Sequence, residues 1–230
     1  MHSPFILTAI ALGITALSTL STPAHGDTFF DLSGLISLAS DGISKDTSET
    51  DENPQAVLYL EAAHGAFFTG AKLKNIKGAD GSDFQHEYSV GIKGDKAGFQ
   101  LALQVAYKIK EGGSLPDDSH VEWKGDISRT FERTTAKLEV EYSPDSSGPT
   151  KKATWINGSL AQKLNDKWSV SGGIGTRKLS PAKDYNGIDL GVTYGLFENT
   201  SLDLRYYDTD RHEYGKGNEE RLVLKLTQKF

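Results

Sequence analysis

Residues 99–109 of the sequence read FQLALQVAYKI, and this stretch decides the fold. Its odd-numbered positions are all apolar or aromatic, whereas its even-numbered positions hold only Gln, Ala and Lys. Successive side chains of a β-strand point to opposite faces, so the stretch predicts a strand with one apolar and one polar face. The same alternation recurs in residues 188–196, 202–207 and 222–227. Amphipathic strands are therefore the predicted building unit of the chain.

Applied to the whole sequence, the alternation predicts an all-β fold of about twelve strands. The predicted strands cover residues 29–40, 55–64, 67–76, 85–93, 99–109, 120–131, 134–142, 153–163, 168–177, 185–196, 200–208 and 219–230. Short turns, such as Glu132 and Arg133, alternate with longer polar loops, such as residues 41–54 and 209–218. This arrangement is typical of a single transmembrane antiparallel up-and-down β-barrel. A soluble β-sandwich, the alternative, does not require turns that alternate in length.

Aromatic residues mark both ends of the predicted strands. Those beside the short turns and at the two ends of the barrel are Phe30, Phe67, Phe99, Phe131, Trp168, Phe197 and Phe230. Those at the opposite strand ends are Tyr88, Tyr107, Trp123, Tyr142, Trp155, Tyr185 and Tyr206. Aromatic side chains are enriched where a membrane meets water, and barrels carry a girdle at each interface. The two sets therefore predict two aromatic girdles around a membrane-spanning band.

The beginning of the chain has the features of an export signal. Ile6–Leu20 is an apolar run, and Pro23 and the small residues of Ala24–Gly26 follow it. We therefore expect a cleaved signal peptide over residues 1–26 and a mature barrel over residues 27–230. The alternative is a short N-terminal anchor helix, although a spanning helix needs ~20 apolar residues.

The last predicted strand has the pattern of a barrel-assembly signal. Phe230 ends the sequence, and Leu226, Leu224 and Leu222 precede it at alternating positions. Gln228 departs from the pattern, which favours an apolar residue there. We expect this strand to be recognised by the barrel-assembly machinery. The expected location is the outer membrane of a Gram-negative bacterium, among outer-membrane lipid and lipopolysaccharide.

Composition excludes several classes of function. The formal net charge of −6 disfavours a nucleic-acid partner. Cysteine is absent, which rules out disulfides, thiol catalysis and cysteine-based metal sites. The mean hydropathy of −0.43 would suit a soluble protein, but a barrel strand needs apolar residues only at alternate positions. We expect neither a cofactor nor a bound metal.

Strict alternation assigns a set of polar and charged side chains to the interior of the barrel. Lys or Arg facing lipid at the membrane midplane costs about 2–4 kcal/mol, which favours this inward orientation. The predicted pore-lining residues are Glu61, Lys72, Lys74, Glu87, Lys93, Gln100, Gln104, Lys108, Glu122, Lys124, Asp126, Lys137, Glu139, Glu141, Arg177, Asp189, Asp203, Arg205 and Lys225. Both signs of charge are well represented, which argues against strong charge selectivity. We expect small hydrophilic solutes to diffuse through a narrow, mixed-charge lumen, and the sequence leaves the oligomeric state open.

From Leu35 onward the sequence resembles the TorF-type porin family of proteobacterial outer-membrane proteins. The segments that carry the resemblance are SDGIS at 40–44, NPQA at 53–56, YSPD at 142–145 and YYDTD at 206–210. That family often has Arg before the Gly-Ile-Ser element and Gln after it, where this sequence has Asp41 and Lys45. The resemblance implies an outer-membrane porin, and the two departures imply a difference in what this loop recognises.

An outer-membrane hydrolase is one alternative function. Its acid and base groups would come from His120 with Asp117, Asp118 and Glu122, or from His212 with Asp208, Asp210 and Glu213. Neither set accompanies a nucleophile-elbow or metal-binding motif. We therefore expect these histidines to be solvated loop residues, and we assign no catalytic residue.

A structural or ligand-binding barrel with a closed lumen is the other alternative. Its cation ligands would be the acidic residues of the first long loop, Asp41, Asp46, Glu49, Asp51 and Glu52. Hard cations prefer such oxygen ligands, but the loop lacks the spacing of an EF-hand. We therefore expect a flexible, hydrated loop.

Overall fold

The computed structural model describes residues 30–230, except residue 79, residues 115–117 and residues 148–149. The signal peptide expected over residues 1–26 lies outside the described residues and stays a prediction. In the described part, no helix combines the length and the apolar character that crossing a membrane requires.

The described residues form twelve long strands, one short hairpin and two 3₁₀-helices. The long strands are β1 (Asp31–Ala39), β4 (Gln55–His64), β5 (Phe67–Asn75), β6 (Phe84–Lys96), β7 (Phe99–Glu111), β8 (Ser119–Phe131), β9 (Thr134–Ser143), β10 (Lys152–Lys163), β11 (Trp168–Ser180), β12 (Tyr185–Phe197), β13 (Thr200–Thr209) and β14 (Arg221–Lys229). The hairpin of β2 (Ile43–Ser44) and β3 (Thr47–Ser48) lies in the first long loop. The 3₁₀-helices, His212–Tyr214 and Lys216–Asn218, lie in the last long loop.

The twelve long strands close into one antiparallel barrel. Each strand pairs with its neighbours along the chain, and the first strand also pairs with the last. In β1, Leu38 lies opposite Leu226 of β14 on one side and Ala56 of β4 on the other. The closed ring leaves no exposed sheet edge, so backbone N–H and C=O groups bond within the sheet. The predicted up-and-down β-barrel is confirmed.

The alternation of the sequence continues around the barrel as an apolar outer face and a polar inner face. Leu190, Ile174 and Leu103 lie on the outer face, and each exposes more than half of its surface. Glu87 and Glu122 lie on the inner face and are buried. An outer surface with this much exposed apolar area is expected where lipid, rather than water, covers the protein.

Most of the predicted girdle residues lie on the outer face near the strand ends. Those with exposed side chains are Phe30, Phe67, Tyr88, Tyr107, Trp123, Phe131, Tyr142, Trp168, Phe197, Tyr206 and Phe230. Phe99 is half-buried, and the Cζ atom of Arg129 lies 4.9 Å from its ring centre. The contact of these rings with a lipid interface stays a prediction.

Trp155 and Tyr185 do not belong to the outer girdle, so the prediction is wrong for both. They are buried and face the interior. Trp155 is paired across its two neighbouring strands with Glu141 and Arg177, which have the same inward orientation. Gly175 leaves space for the indole, because a Cβ atom there would lie 2.0 Å from Cη2 of Trp155. Position near a strand end does not decide which face an aromatic side chain takes.

We expect Leu190→Lys to weaken folding into lipid by about 2–4 kcal/mol, the cost of a lysine facing the membrane midplane. Leu190 lies near the middle of β12 and faces outward. Urea titration of folding into lipid vesicles measures the change. Glu132→Lys, at an exposed short turn, is the control and should have little effect. Equal losses for the two variants would contradict a lipid-facing Leu190.

Candidate functional site

The first long loop bends into the barrel. This loop, L1, comprises residues 40–54 and contains the β2–β3 hairpin. Its turn places Lys45 and Asp46 at φ values of 55° and 64°, as in the two-residue type I′ turns of hairpins. Asp46 and Thr50 expose only 6% and 1% of their surfaces. The expectation of a flexible, hydrated loop is therefore wrong, because L1 makes buried contacts with the barrel wall.

Asp41 fixes the start of L1 to the last strand of the barrel. One of its carboxylate oxygens accepts hydrogen bonds from Ser48 Oγ at 2.7 Å and Thr50 Oγ1 at 2.8 Å. The other lies 3.0 Å from Nη1 of Arg221 in β14, and both side chains are buried. Removing one partner of such a buried pair typically costs about 3–5 kcal/mol. Asp41 is therefore committed to holding the loop.

Lys45, at the tip of L1, contacts the far wall. Its Nζ lies 2.8 Å from a carboxylate oxygen of Glu122 and 2.5 Å from one of Glu141. These acids belong to β8 and β9, which lie across the ring from β1. Tyr185 of β12 donates its hydroxyl to the Lys45 carbonyl oxygen at 2.8 Å. L1 therefore crosses the diameter of the barrel and is tethered on both sides.

Glu49 attaches L1 to a third part of the barrel wall. Its carboxylate accepts hydrogen bonds from Lys74 Nζ at 2.6 Å and from Gln55 Nε2 at 2.7 Å. Its carbonyl oxygen accepts one from the backbone N–H of Lys77 at 2.7 Å. Burial alone would raise the pKa of Glu49, but Lys74 and Gln55 bring the pKa below its ordinary value. The acids Asp41 and Glu49 therefore have protein partners, which argues against a loop that binds divalent cations.

Two polar cavities lie on either side of L1. The inner cavity has a volume of about 300 Å³ and reaches Lys225 of β14. The vestibule has a volume of about 760 Å³ and opens among the long loops, where Lys183 and Tyr214 line it. The residues that line both cavities are Ser44, Lys45, Glu49, Lys74 and Lys108. These five shared residues, termed the constriction residues, lie between L1 and the wall.

The side chains predicted to line a pore all lie on the inward side of their strands, and most of them form ion pairs with one another. The pairs join Lys72 to Glu87, Lys93 to Glu61, Lys108 to Glu87 and Glu122, Lys124 to Glu139 and Glu141, Lys137 to Asp126 and Glu139, and Arg205 to Asp189 and Asp203. Gln100 and Gln104 are uncharged. Within the described residues, Arg177 and Lys225 lack a carboxylate within 4.0 Å. The wall is therefore close to neutral over most of its height.

His120 is not a solvated loop residue, and that expectation is wrong. It is the second residue of β8, at an inward position opposite Lys108, and it lines the vestibule. Its Nδ1 atom is buried and has no hydrogen-bond partner in the described part of the chain. Asp117, one of its suggested catalytic partners, lies outside the described residues.

His212 lies in the last long loop between two carboxylates. Its Nε2 lies 2.7 Å from Asp208 and its Nδ1 lies 3.8 Å from Glu220. Ligand atoms of these three residues come within 4.8 Å of one another, but both ring nitrogens already face carboxylates. Over the described ranges, no Ser or Thr hydroxyl is hydrogen-bonded to the ring. Among the described residues, the group therefore lacks the hydroxyl nucleophile of a serine-type triad.

The closed barrel, its apolar outer face and the polar lumen narrowed by an inserted loop define a channel-type barrel of the bacterial outer membrane. A family model described as Gram-negative porin matches residues 29–213. Because the match covers most of the chain, the protein belongs to the Gram-negative porin family. Its location is therefore the bacterial outer membrane, and the family passes small solutes. The sequence matches none of the curated proteins with which it was compared.

Solved structures of bacterial channels have the same fold at low sequence identity. The KdgM porin, solved in complex with disordered oligogalacturonate, is 9% identical with a TM-score of 0.56, and the match covers 86% of this chain and 99% of that chain. The NanC porin is 9% identical with a TM-score of 0.54, over 86% and 98% of the two chains. An outer membrane channel from Pseudomonas putida F1 is 10% identical with a TM-score of 0.53, over 91% and 99%. These similarities support the barrel architecture.

Asp46 is a buried acid in L1 with an unsatisfied oxygen. It packs against Gly187, where a Cβ atom would lie 2.5 Å from Oδ2. This Oδ2 has no hydrogen-bond partner among the residues described. Burial, and then the charge of Asp189, raise the pKa of the carboxyl from 3.8 to about 7, although Arg205 acts in the opposite direction. The charged form of Asp46 is therefore disfavoured in the folded protein.

We expect Asp46→Asn to raise the thermal midpoint more at about pH 8 than at about pH 5. Because the pKa of Asp46 is raised in the folded protein, folding favours the protonated carboxyl. Its contribution to the free energy of unfolding is complete below pH 3.8 and is lost as the pH rises through about 7. The Asn side chain has nearly the same shape as that of Asp but cannot become negatively charged. Asp51→Asn, exposed in the same loop, is the control and should show no such trend. The same gain at both pH values for Asp46→Asn would contradict a raised pKa.

Proposed function

We propose that this porin is a passive channel for small hydrophilic solutes, with a narrow, mixed-charge lumen whose narrowest part is formed by L1. The observation that carries the proposal is the pair of polar cavities that meet at Ser44, Lys45, Glu49, Lys74 and Lys108. Barrels of ~8 strands are filled by side chains, and those of ~16–18 leave a wide channel. Twelve strands with an inserted loop favour a passage between these extremes.

Partly exposed lysine side chains inside the barrel support a wet lumen. The inward-facing side chains of Lys72, Lys93 and Lys137 keep 33%, 44% and 38% exposure. A lumen packed shut would bury these charges, which is costly even for paired groups. Interior space next to lysines therefore favours an open passage over a closed structural barrel.

A channel without enzymatic activity is part of the proposal. The ring of His212 faces Asp208 and Glu220, and the described residues give it no hydroxyl nucleophile. The inward-facing His120 lies beside Lys108 and Glu122, where its neighbours belong to the ion-paired wall. These contacts support a structural or solute-facing role for both histidines.

The TorF-type relationship and the assembly partners belong to the same proposal. Phe230 supports an assembly role because it completes the barrel seam: its backbone N–H donates to Gly34 at 3.0 Å, and its carbonyl accepts from Gly34 at 2.8 Å. Its ring lies against Gly34 on the outer face. The assembly machinery would recognise this strand, and lipopolysaccharide would surround the long-loop end of the barrel.

Purified protein is expected to raise the conductance of planar lipid bilayers in discrete steps. It should also make liposomes permeable to small neutral sugars, because most of the side chains that line the lumen are polar. Heat-modifiable migration on detergent gels confirms beforehand that the barrel is folded. Folded protein that gives neither conductance nor sugar permeability would overturn the channel proposal.

We expect thiol labelling at the constriction to lower single-channel conductance. The native chain has no cysteine, so Ser44→Cys offers one target for a bulky thiosulfonate reagent. Because Ser44 lines both cavities, the attached group should reduce the conductance by about half or more. Lys152→Cys, on the outer side of β10, is the matched control and should give an unchanged channel. Full labelling of Ser44→Cys without any effect would show that solutes pass elsewhere.

A further inference from the structure

The vestibule carries a large excess of positive charge. Among the described residues that line it, seven are Lys or Arg and two are carboxylates, Glu49 and Glu122. This composition differs from that of the chain as a whole, which has a formal net charge of −6. The positive charge is therefore concentrated at one place, the entrance on the long-loop side of L1.

Ion pairing neutralises part of this positive charge and leaves four basic residues without a carboxylate partner among the described residues. Lys45, Lys74 and Lys108 are bonded to carboxylates of L1 and the wall. The other four basic residues of the vestibule make no ion pair within 4.0 Å in the part of the chain that the structure describes; they are Lys77, Lys110, Arg177 and Lys183. Lys183 lies over the ring of Tyr214, with Nζ 5.7 Å from its centre.

Arg177 is one of the two half-buried members of this group, with Lys110. It faces inward from β11, between Trp155 of β10 and Tyr185 of β12. Its guanidinium makes no hydrogen bond with any described residue, although it offers five donors in a fork that suits carboxylate oxygens. Unused guanidinium donors in this cavity point to a ligand that accepts hydrogen bonds.

Unpaired cations in a concave site with low-dielectric walls act on solutes before they reach the constriction. Field lines are focused in such a cleft, and counter-ions are concentrated there. Past the constriction, the paired wall offers little net charge in either direction. The charge preference of the channel is therefore set at its mouth rather than along its wall.

We propose that the vestibule selects small organic anions, and in particular carboxylate-bearing solutes, for passage through the channel. Arg177 provides the fork that binds the carboxylate, and Lys77, Lys110 and Lys183 attract it to the entrance. This inference rests on the proposed channel function and names its substrate class. It also changes the expectation of weak charge selectivity, which followed from counting both signs of charge without knowing which of them are paired.

The test is the reversal potential of single channels under a gradient of potassium lactate, with potassium chloride as the reference salt. The wild-type channel should pass lactate and chloride better than potassium by a permeability ratio of about two or more. The triple variant Lys77→Gln/Lys110→Gln/Arg177→Gln should bring both ratios down to about one. Lys152→Gln, which removes a positive charge from the outer side of β10 at the same end of the barrel, should leave the ratios unchanged.

A second variant keeps the test decisive if the triple variant does not fold. Lys77→Gln/Lys183→Gln changes only loop positions, and it should move both ratios in the same direction by a smaller amount. Channels that conduct but favour potassium, or pass chloride while excluding lactate, would overturn the carboxylate proposal and leave the channel function intact. Unchanged ratios in both variants would also overturn it. A folded protein without conductance would instead overturn the channel function itself.

Discussion

Closure of the sheet between its first and last strands is the constraint on which the rest of the structure depends. In the hydrocarbon core, an unpaired backbone N–H or C=O group has no water to bond and is costly. Pairing of β1 with β14, completed by the backbone bonds between Gly34 and Phe230, removes the two free edges that an open sheet would expose. A closed ring then divides the residues of every strand between a face toward lipid and a face toward an interior.

The interior follows a second constraint, which is electrostatic. Charges in a region of low dielectric must be paired or hydrated. The barrel meets this requirement with lysine–glutamate pairs along β5 to β9 and with the Arg205 group on β12 and β13. L1 uses the same chemistry, because Asp41, Lys45 and Glu49 each join the loop to a different part of the wall. The loop is thus positioned by charge rather than by apolar packing.

The strands could be predicted from the sequence because their signal is local. The stretch predicted at 55–64 is found at Gln55–His64, and alternation also assigned the charged residues to the correct face. Strand ends were less well defined: β6 was predicted over 85–93 and extends from Phe84 to Lys96. Alternation of apolar and polar residues stops where the lipid-facing part ends, but backbone pairing continues beyond it.

The candidate site was harder to predict because its contacts join distant parts of the chain. Lys45 meets Glu122 from 77 positions away, and Asp41 meets Arg221 from 180 positions away. Nothing in the residues around L1 indicates these partners. Counting charges also could not show that Arg177 is unpaired, since pairing depends on the register of neighbouring strands. Alternation along β10 places Trp155 on the inner face, but its position near a strand end favoured the outer face, which is wrong.

The pair between Asp41 and Arg221 has a consequence for the order of events during biogenesis. Asp41 follows the first strand, whereas Arg221 begins the final one. The Asp41 anchor of L1 can therefore form only after the C-terminal strand has joined the ring. An incompletely inserted chain would lack this anchor, so the full set of contacts that holds L1 exists only in the closed barrel.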